Sequence, residues 1–139
     1  MFHWLELRAF CHATEDEEKV VAALRTVLPE AEVRRAPLEG HFENPLLALT
    51  VRTEAAADIR AAWRRIVDAL GRDEVLAGLG QRIDDEVVYH LRIDKQRAYL
   101  GGIAKAAGGD VIDLRAKVAA YPAKREVALR VVREFVEAL

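Results

Sequence analysis

Residues 2–12 read Phe2-His3-Trp4-Leu5-Glu6-Leu7-Arg8-Ala9-Phe10-Cys11-His12. The period is two. Leu5, Leu7, Ala9 and Cys11 fall on one side; Trp4, Glu6, Arg8, Phe10 and His12 fall on the other. Successive side chains of a strand point to opposite faces, so this stretch is a half-buried strand with its aliphatic side toward a core. The same alternation predicts a strand over 46–54, with Leu47, Leu49, Val51 and Thr53 on one side and Thr50, Arg52 and Glu54 on the other. It predicts further strands over 87–93, offering His90 and Arg92, and over 111–121, offering Arg115, Lys117 and Tyr121. A short strand is expected over 32–36.

Between these strands the apolar period changes to that of a helix. Thr14-Glu15-Asp16-Glu17 reads as a capping box. It opens a helix whose buried stripe is Val20, Val21, Leu24, Val27 and Leu28, stopped by Pro29. A second helix is expected over 55–70, burying Ile59, Trp63, Ile66, Val67 and Leu70 and ending at Gly71. A shorter helix follows over 73–81, and a single helical turn or compact loop over 94–100. The last helix is expected to start at Pro122 and run to about residue 138. Residues 37–45 read as a loop, and Gly101-Gly102 and Gly108-Gly109 bracket a connection expected to be mobile. The order β-α-β-β-α-α-β-β-α lacks the rhythm of a doubly wound parallel sheet. The expected fold is α+β: a mostly antiparallel sheet of about five strands with helices packed on one face.

The chain has 139 residues, 52% apolar and 32% charged. These figures exclude a disordered chain and suit one domain spanning 1–139 that buries roughly two-thirds of its unfolded surface. There is no apolar run of ~18 residues, so no membrane span is expected. Glu6 and Arg8 interrupt the N-terminal apolar stretch, which argues against a signal peptide and for the cytoplasm. Serine is absent, which removes a serine nucleophile, and Cys11 is the single cysteine, which removes an intrachain disulfide and a cysteine-based zinc site. No Gly-rich phosphate loop is present. Amides are scarce (Asn44, Gln81 and Gln96), a bias seen in heat-adapted or GC-rich-coded proteins.

The net charge of −2 gives no global argument for a polyanionic partner, but its distribution is uneven. Residues 1–50 hold five Lys/Arg against nine Asp/Glu, and residues 101–139 hold seven against five. Three basic features stand out. The outward registers of the strands collect Trp4, Arg8, Phe10, His12, Thr50, Arg52, His90, Arg92, Arg115, Lys117 and Tyr121. Cations interleaved with flat rings suit RNA, charge meeting phosphate and rings stacking on bases; a dimer interface or a plain solvated face are the competing readings. The last helix opens Tyr121-Pro122-Ala123-Lys124-Arg125, placing cations against the helix dipole, an arrangement that fits an anion site although Glu126 offsets part of it. Arg92-Ile93-Asp94-Lys95-Gln96-Arg97-Ala98-Tyr99 places cations and a tyrosine directly after a strand.

Enzymatic readings are weaker. His3, His12, His41 and His90 show no metal-ligand spacing. His41 with Glu39 and Glu43 could hold a metal or act as a base, and Asp84-Asp85-Glu86 could hold Mg2+, but a surface loop and a solvated turn explain both. Cys11 reads as a small core hydrophobe.

Five segments taken in order resemble a family of small archaeal proteins described as RNA-binding proteins or predicted exosome subunits. They are residues 12–20; Glu39-Gly40-His41-Phe42-Glu43-Asn44-Pro45; residues 91–101; Gly109-Asp110-Val111-Ile112; and Tyr121-Pro122-Ala123-Lys124-Arg125-Glu126. The resemblance implies a fold similar to the large-subunit ribosomal protein that contacts 5S rRNA, RNA binding, and a link to RNA processing or degradation. The Asp84-Asp85-Glu86-Val87 turn is shorter than the family pattern, which leaves the start of the fourth strand open.

The function expected is that of a non-catalytic RNA-binding protein. Arg92, Lys95, Arg97, Arg115, Lys117, Lys124 and Arg125 are the expected phosphate contacts, and Tyr99 and Tyr121 the stacking rings. No metal or cofactor is expected; the expected partners are RNA, exosome or ribosome-related proteins and a second copy of the chain. The alternative is a protein-interaction or dimerisation module without RNA contact.

Overall fold

The structure is a computed structural model that describes residues 1–38 and 46–139. The His41 candidate with Glu39 and Glu43, and most of the expected 37–45 loop, lie outside the described residues. The elements are β1 (Phe2–His12), α1 (Glu17–Val27), β2 (Arg34–Pro37), β3 (Leu46–Thr53), α2 (Ala56–Leu70), α3 (Arg72–Arg82), β4 (Val88–Asp94), α4 (Lys95–Tyr99), β5 (Val111–Val118) and α5 (Arg125–Glu137). The strands form one sheet in the order β2-β3-β1-β5-β4, with every pairing antiparallel. The expected α+β architecture is the one observed.

β1 lies at the centre, and its alternation decides the rest. Leu5, Leu7, Ala9 and Cys11 are buried and face the helices, where they join Leu49 and Val51 of β3 and Ile112, Leu114 and Ala116 of β5. The helix side of the core is built by Val20, Leu24 and Val27 of α1, Ile59, Trp63 and Ile66 of α2, and Ala128, Val132 and Val136 of α5. Trp63 is fully buried and sits in an aromatic group, its ring 5.1 Å from Phe2, 4.8 Å from Tyr89 and 6.1 Å from Phe135. Among the described residues its buried Nε1–H finds no hydrogen-bond acceptor.

Three local expectations are corrected, and the acidic turn is internally bonded. The N-cap of α1 is Asp16, whose carboxylate accepts from Glu18 N at 3.0 Å, and not Thr14; Glu15 is diverted to accept from His12 N at 3.0 Å. β5 stops at Val118 and α5 starts at Arg125, because Lys124 is extended and serves as the N-cap; Pro122 lies outside the helix. The glycine-bracketed connection is tied down along the outer edge of β4, with Asp94 N bonded to Ala104 O and Ala106 N to Arg92 O, each at 2.9 Å. That segment satisfies backbone groups that an open edge strand would leave exposed. Finally, the Asp84-Asp85-Glu86 turn is built around one carboxylate. Asp84 accepts from Glu86 N at 2.9 Å and Val88 N at 3.0 Å, and meets His90 Nε2 at 2.7 Å. Burial works against the charge on Asp84, but the bonds from His90, Val88 and Glu86 outweigh it and hold the carboxyl below its ordinary value. The same turn forces Val87 to φ +56°, an uncommon conformation for a β-branched residue, while its side chain stays in the core.

Truncating Trp63 to alanine removes the centre of the aromatic group and is expected to destabilise the fold by about 3–5 kcal/mol in urea unfolding. Trp4→Ala, on the opposite face, is expected to cost less than about 1 kcal/mol. Equal losses from the two would contradict this placement of the core.

Candidate nucleic-acid interface

The face of the sheet turned away from the helices is lined by the even-numbered side chains of β1 from Trp4 to His12; Phe2, before the register shift, packs on Trp63 instead. Residues paired across strands share a face, which sets the order of the rows. One row runs Arg34, Thr50, Arg8, Asp113, Arg92 from β2 to β4; the next runs Arg52, Glu6, Arg115, His90; beyond it lie Trp4 and Lys117. The outward register of the strands carries six cations (Arg8, Arg34, Arg52, Arg92, Arg115, Lys117) against three carboxylates (Glu6, Asp94, Asp113). The chain as a whole is −2. This face therefore runs against the balance of the molecule.

Its centre is preorganised. The Trp4 ring is approached by Arg52 at 4.7 Å and Arg115 at 5.6 Å, and Glu6 receives Arg115 at 2.6 Å while standing 3.8 Å from Arg52. One carboxylate thus holds two guanidinium groups against one indole. Arg8 lies 4.9 Å from the Phe10 ring centroid. Planar guanidinium groups on aromatic faces keep their outer N–H donors free for phosphate oxygens. Arg92 is exposed, with Asp113 at 3.8 Å. Lys117 donates to Glu86 O at 2.6 Å.

The other expected contacts are distributed differently. Lys95 is the main correction: its side chain is 3% exposed, and its Nζ donates to Phe10 O at 2.9 Å and meets Glu15 at 2.9 Å and Asp110 at 2.7 Å. It cannot meet phosphate without leaving that cage. Burial opposes its charge, yet the bonds to Asp110 and Glu15 outweigh burial and raise its pKa above the ordinary lysine value. Asp110 is the mirror case: burial works to raise it, but Lys95 and Gln96 hold it below the ordinary aspartate value. Gln96, expected to read a base, donates to Asp110 at 3.2 Å. Arg125 is the second correction. Its Nε donates to Ile83 O at 3.0 Å and its Nη2 bonds Gly80 O, both at the C-terminal end of α3. A cation at the positive start of α5 is thereby also a cation at the negative end of α3, which accounts for the apparent breach of the dipole rule. Lys124 is exposed beside it, on the helix layer and not on the open sheet face. Arg97 is exposed on α4; Tyr99 is 40% exposed with Lys19 Nζ 5.4 Å from its ring centroid, and Tyr121 is 96% exposed beyond the end of β5. The basic segments therefore do not form one track: Arg92, Arg115 and Lys117 share the sheet face, and Lys95, Lys124 and Arg125 do not join it.

A family model described as RNA binding matches residues 4–118. The chain belongs to this RNA-binding family. The matched span runs from Trp4 to the end of β5, so it contains all six cations of the open face and leaves Lys124 and Arg125 outside. An RNA-binding protein from Pyrococcus abyssi is 35% identical over 144 residues, covering 97% of this chain and 94% of that one. A solved structure from Methanothermobacter thermautotrophicus superposes with a TM-score of 0.84 at 37% identity, covering 98% of each chain. A more distant structure from Methanococcus jannaschii, 14% identical, shares the fold with a TM-score of 0.69 over 94% of this chain and 92% of that one.

Arg34 is the face residue that the sequence reading missed. It sits on the short strand β2, where four residues are too few to show a period. Arg8, Arg52 and Trp4 were visible in the alternation but gave no local cluster. Among the described residues no group of three or more His, Cys, Asp or Glu could hold a metal ion, and no helix is long and apolar enough to cross a membrane.

Removing the buried cation by Lys95→Met should destabilise the protein by about 3 kcal/mol near neutral pH, since it strands two carboxylates that remain partly hydrated. Asp110 contributes above its unfolded value near pH ~3.9, and this contribution fades as pH falls through its depressed folded value. Lys95 contributes below its unfolded value near ~10.4 and is lost as pH rises through its raised folded value. The stability gap between the native chain and Lys95→Met in urea unfolding is therefore widest between about pH 5 and 9 and narrows at both extremes. A gap as wide at pH 2 as at pH 7 would contradict the ion-pair account.

Proposed function

We propose that the protein binds RNA on the open face of its sheet, without catalysing a reaction on it. The observation that carries this reading is the arginine-rich, aromatic face on a chain whose net charge is negative. Arg8, Arg34, Arg52, Arg92, Arg115 and Lys117 supply phosphate contacts in rows set by strand pairing. Trp4 and Phe10, already stacked with guanidinium groups, supply flat surface for unpaired bases. Membership of the RNA-binding family and the name of the Pyrococcus relative support the same ligand. Arg97, Lys124, Tyr99 and Tyr121 lie off this face and are not needed for it. The link to RNA processing or degradation, exosome or ribosome-related partners and the kinship with the ribosomal-protein fold rest on the family resemblance, and a cytoplasmic setting on the charged residues Glu6 and Arg8 within the N-terminal apolar stretch. The competing use of the same face is a homodimer or another protein docking surface.

About four phosphates neutralised on single-stranded RNA give a fall of log affinity with log salt of slope roughly −3. The double substitution Arg8→Ala with Arg92→Ala should flatten the slope by about 1.4 units, and Lys124→Ala should leave it close to the native value. A larger effect from Lys124→Ala than from the face pair would move the contact to the helix layer. A stable dimer by size-exclusion mass, with no salt-sensitive RNA retention, would favour the docking surface and contradict RNA binding.

A further inference from the structure

On the helix side of the outer edge of β4 lies a cavity of about 190 Å³, framed by α3, β4 and the segment paired to the β4 edge. Its back wall is apolar, from Leu70, Val75 and Leu91, while Gln81, Arg82 and Lys105 bring polar groups to it. Tyr89 forms part of the lining and is 1% exposed as a residue. No described residue hydrogen-bonds its hydroxyl. The single sealed side-chain atom without a partner among the described residues is Trp63 Nε1, so the Tyr89 hydroxyl opens onto the cavity. Burial, partly countered by Arg82, pushes that hydroxyl up to about 12, so it is an O–H donor at any physiological pH. Gly78 also shapes the site: a Cβ there would come within 3.2 Å of Arg82 Nε, so the missing side chain leaves room for the guanidinium to fold back over α3. Lys105 is paired with Glu74 at the rim.

We propose that this cavity holds the base of a single nucleotide, with the attached phosphate at Arg82 and Lys105. The chemistry matches part by part. The apolar back wall meets one ring face, the Tyr89 hydroxyl and the Gln81 amide offer hydrogen bonds to the base edge, and Arg82 stands at the mouth for the anion, where the phosphate must draw Lys105 away from Glu74. The volume lies below the ~300–1,000 Å³ of drug-sized pockets, which fits one ring system and excludes a dinucleotide. The inference rests on the RNA reading for its setting. On β4, His90 and Arg92 point to the open face while Tyr89 and Leu91 point to the cavity, so the two sites lie on opposite faces of this strand, with the edge-paired segment between them. A strand lying along Arg92 can cross that strip and insert one base. A free mononucleotide offers the same chemistry.

The test is an amide-shift NMR titration of the full chain with adenosine 5′-monophosphate, with adenosine, and with an eight-nucleotide oligoadenylate. The monophosphate is expected to shift the Gly78, Tyr89 and Lys105 amides saturably, and adenosine to bind more weakly. Tyr89→Phe, which removes only the hydroxyl, should weaken monophosphate binding about fivefold, and Gly78→Leu, which fills the space, by more than tenfold. Cavity amides that do not move, or equal titrations of native, Tyr89→Phe and Gly78→Leu chains, would overturn the proposal; if the oligoadenylate still shifts Arg8 and Arg92, the face reading survives that failure. Cavity shifts with the monophosphate, and none anywhere with the oligoadenylate, would support the cavity as a free-nucleotide site while removing the RNA reading.

Discussion

The two-residue period of β1 is the constraint on which the structure depends. β1 is the middle strand, so from Trp4 onward its odd-numbered side chains must fill the space under the helices and its even-numbered ones must live with each other and with solvent, while a register shift between Phe2 and Trp4 lets Phe2 join the core. A slip of one residue would exchange the two sets, placing Glu6 and Arg8 against Trp63 and leaving Leu5 and Leu7 in water. Burial of Leu5, Leu7 and Ala9, together with the antiparallel partners on both sides, fixes that register. The charged face is a consequence of the same choice. Glu6, opposite both Arg52 and Arg115, holds two guanidinium groups on Trp4 because the pairing of three strands brings them together.

Cations in this chain divide into those consumed by the fold and those left available. Lys95 joins β1, the start of α1 and the start of β5 through Phe10 O, Glu15 and Asp110. Its ammonium closes the end of the sheet, and breaking that contact leaves Glu15 and Asp110 without their cation. Arg125 neutralises the exposed carbonyls at the end of α3. Both residues belong to locally dense basic segments. The available arginines are instead scattered one or two to a strand and meet only in the folded sheet. An acidic molecule can present a basic face in this way because its carboxylates are concentrated elsewhere, four of them within residues 15–18.

Strands and amphipathic helices were legible because each carries its own period: the alternation of residues 2–12 and 111–118 and the stripe at Ile59, Trp63 and Ile66 need no distant partner to interpret. What was not legible depends on such partners. Lys95 meets Glu15 80 residues away, and Arg115 meets Glu6 109 residues away. The extent of β5 was overread by three residues because Ala119, Ala120 and Tyr121 continue the pattern past the last paired position, Val118. The glycine-flanked connection read as mobile because its hydrogen bonds go to β4, a contact that composition does not encode. Arg34 was hidden by the shortness of β2. Tyr89 was hidden because a buried tyrosine in a strand resembles any core ring until the space beside its hydroxyl is seen.

The most direct test of the central claim is where RNA touches the protein. Ultraviolet cross-linking of a short uridine-rich RNA, followed by mass spectrometry of the attached peptides, reads this without substitution. The expected adducts fall on β1, with Trp4 and Phe10 foremost, and on the neighbouring stretches of β3, β4 and β5. Adducts confined to α2 and α5, or none above a salt-quenched background, would contradict an RNA-binding sheet face.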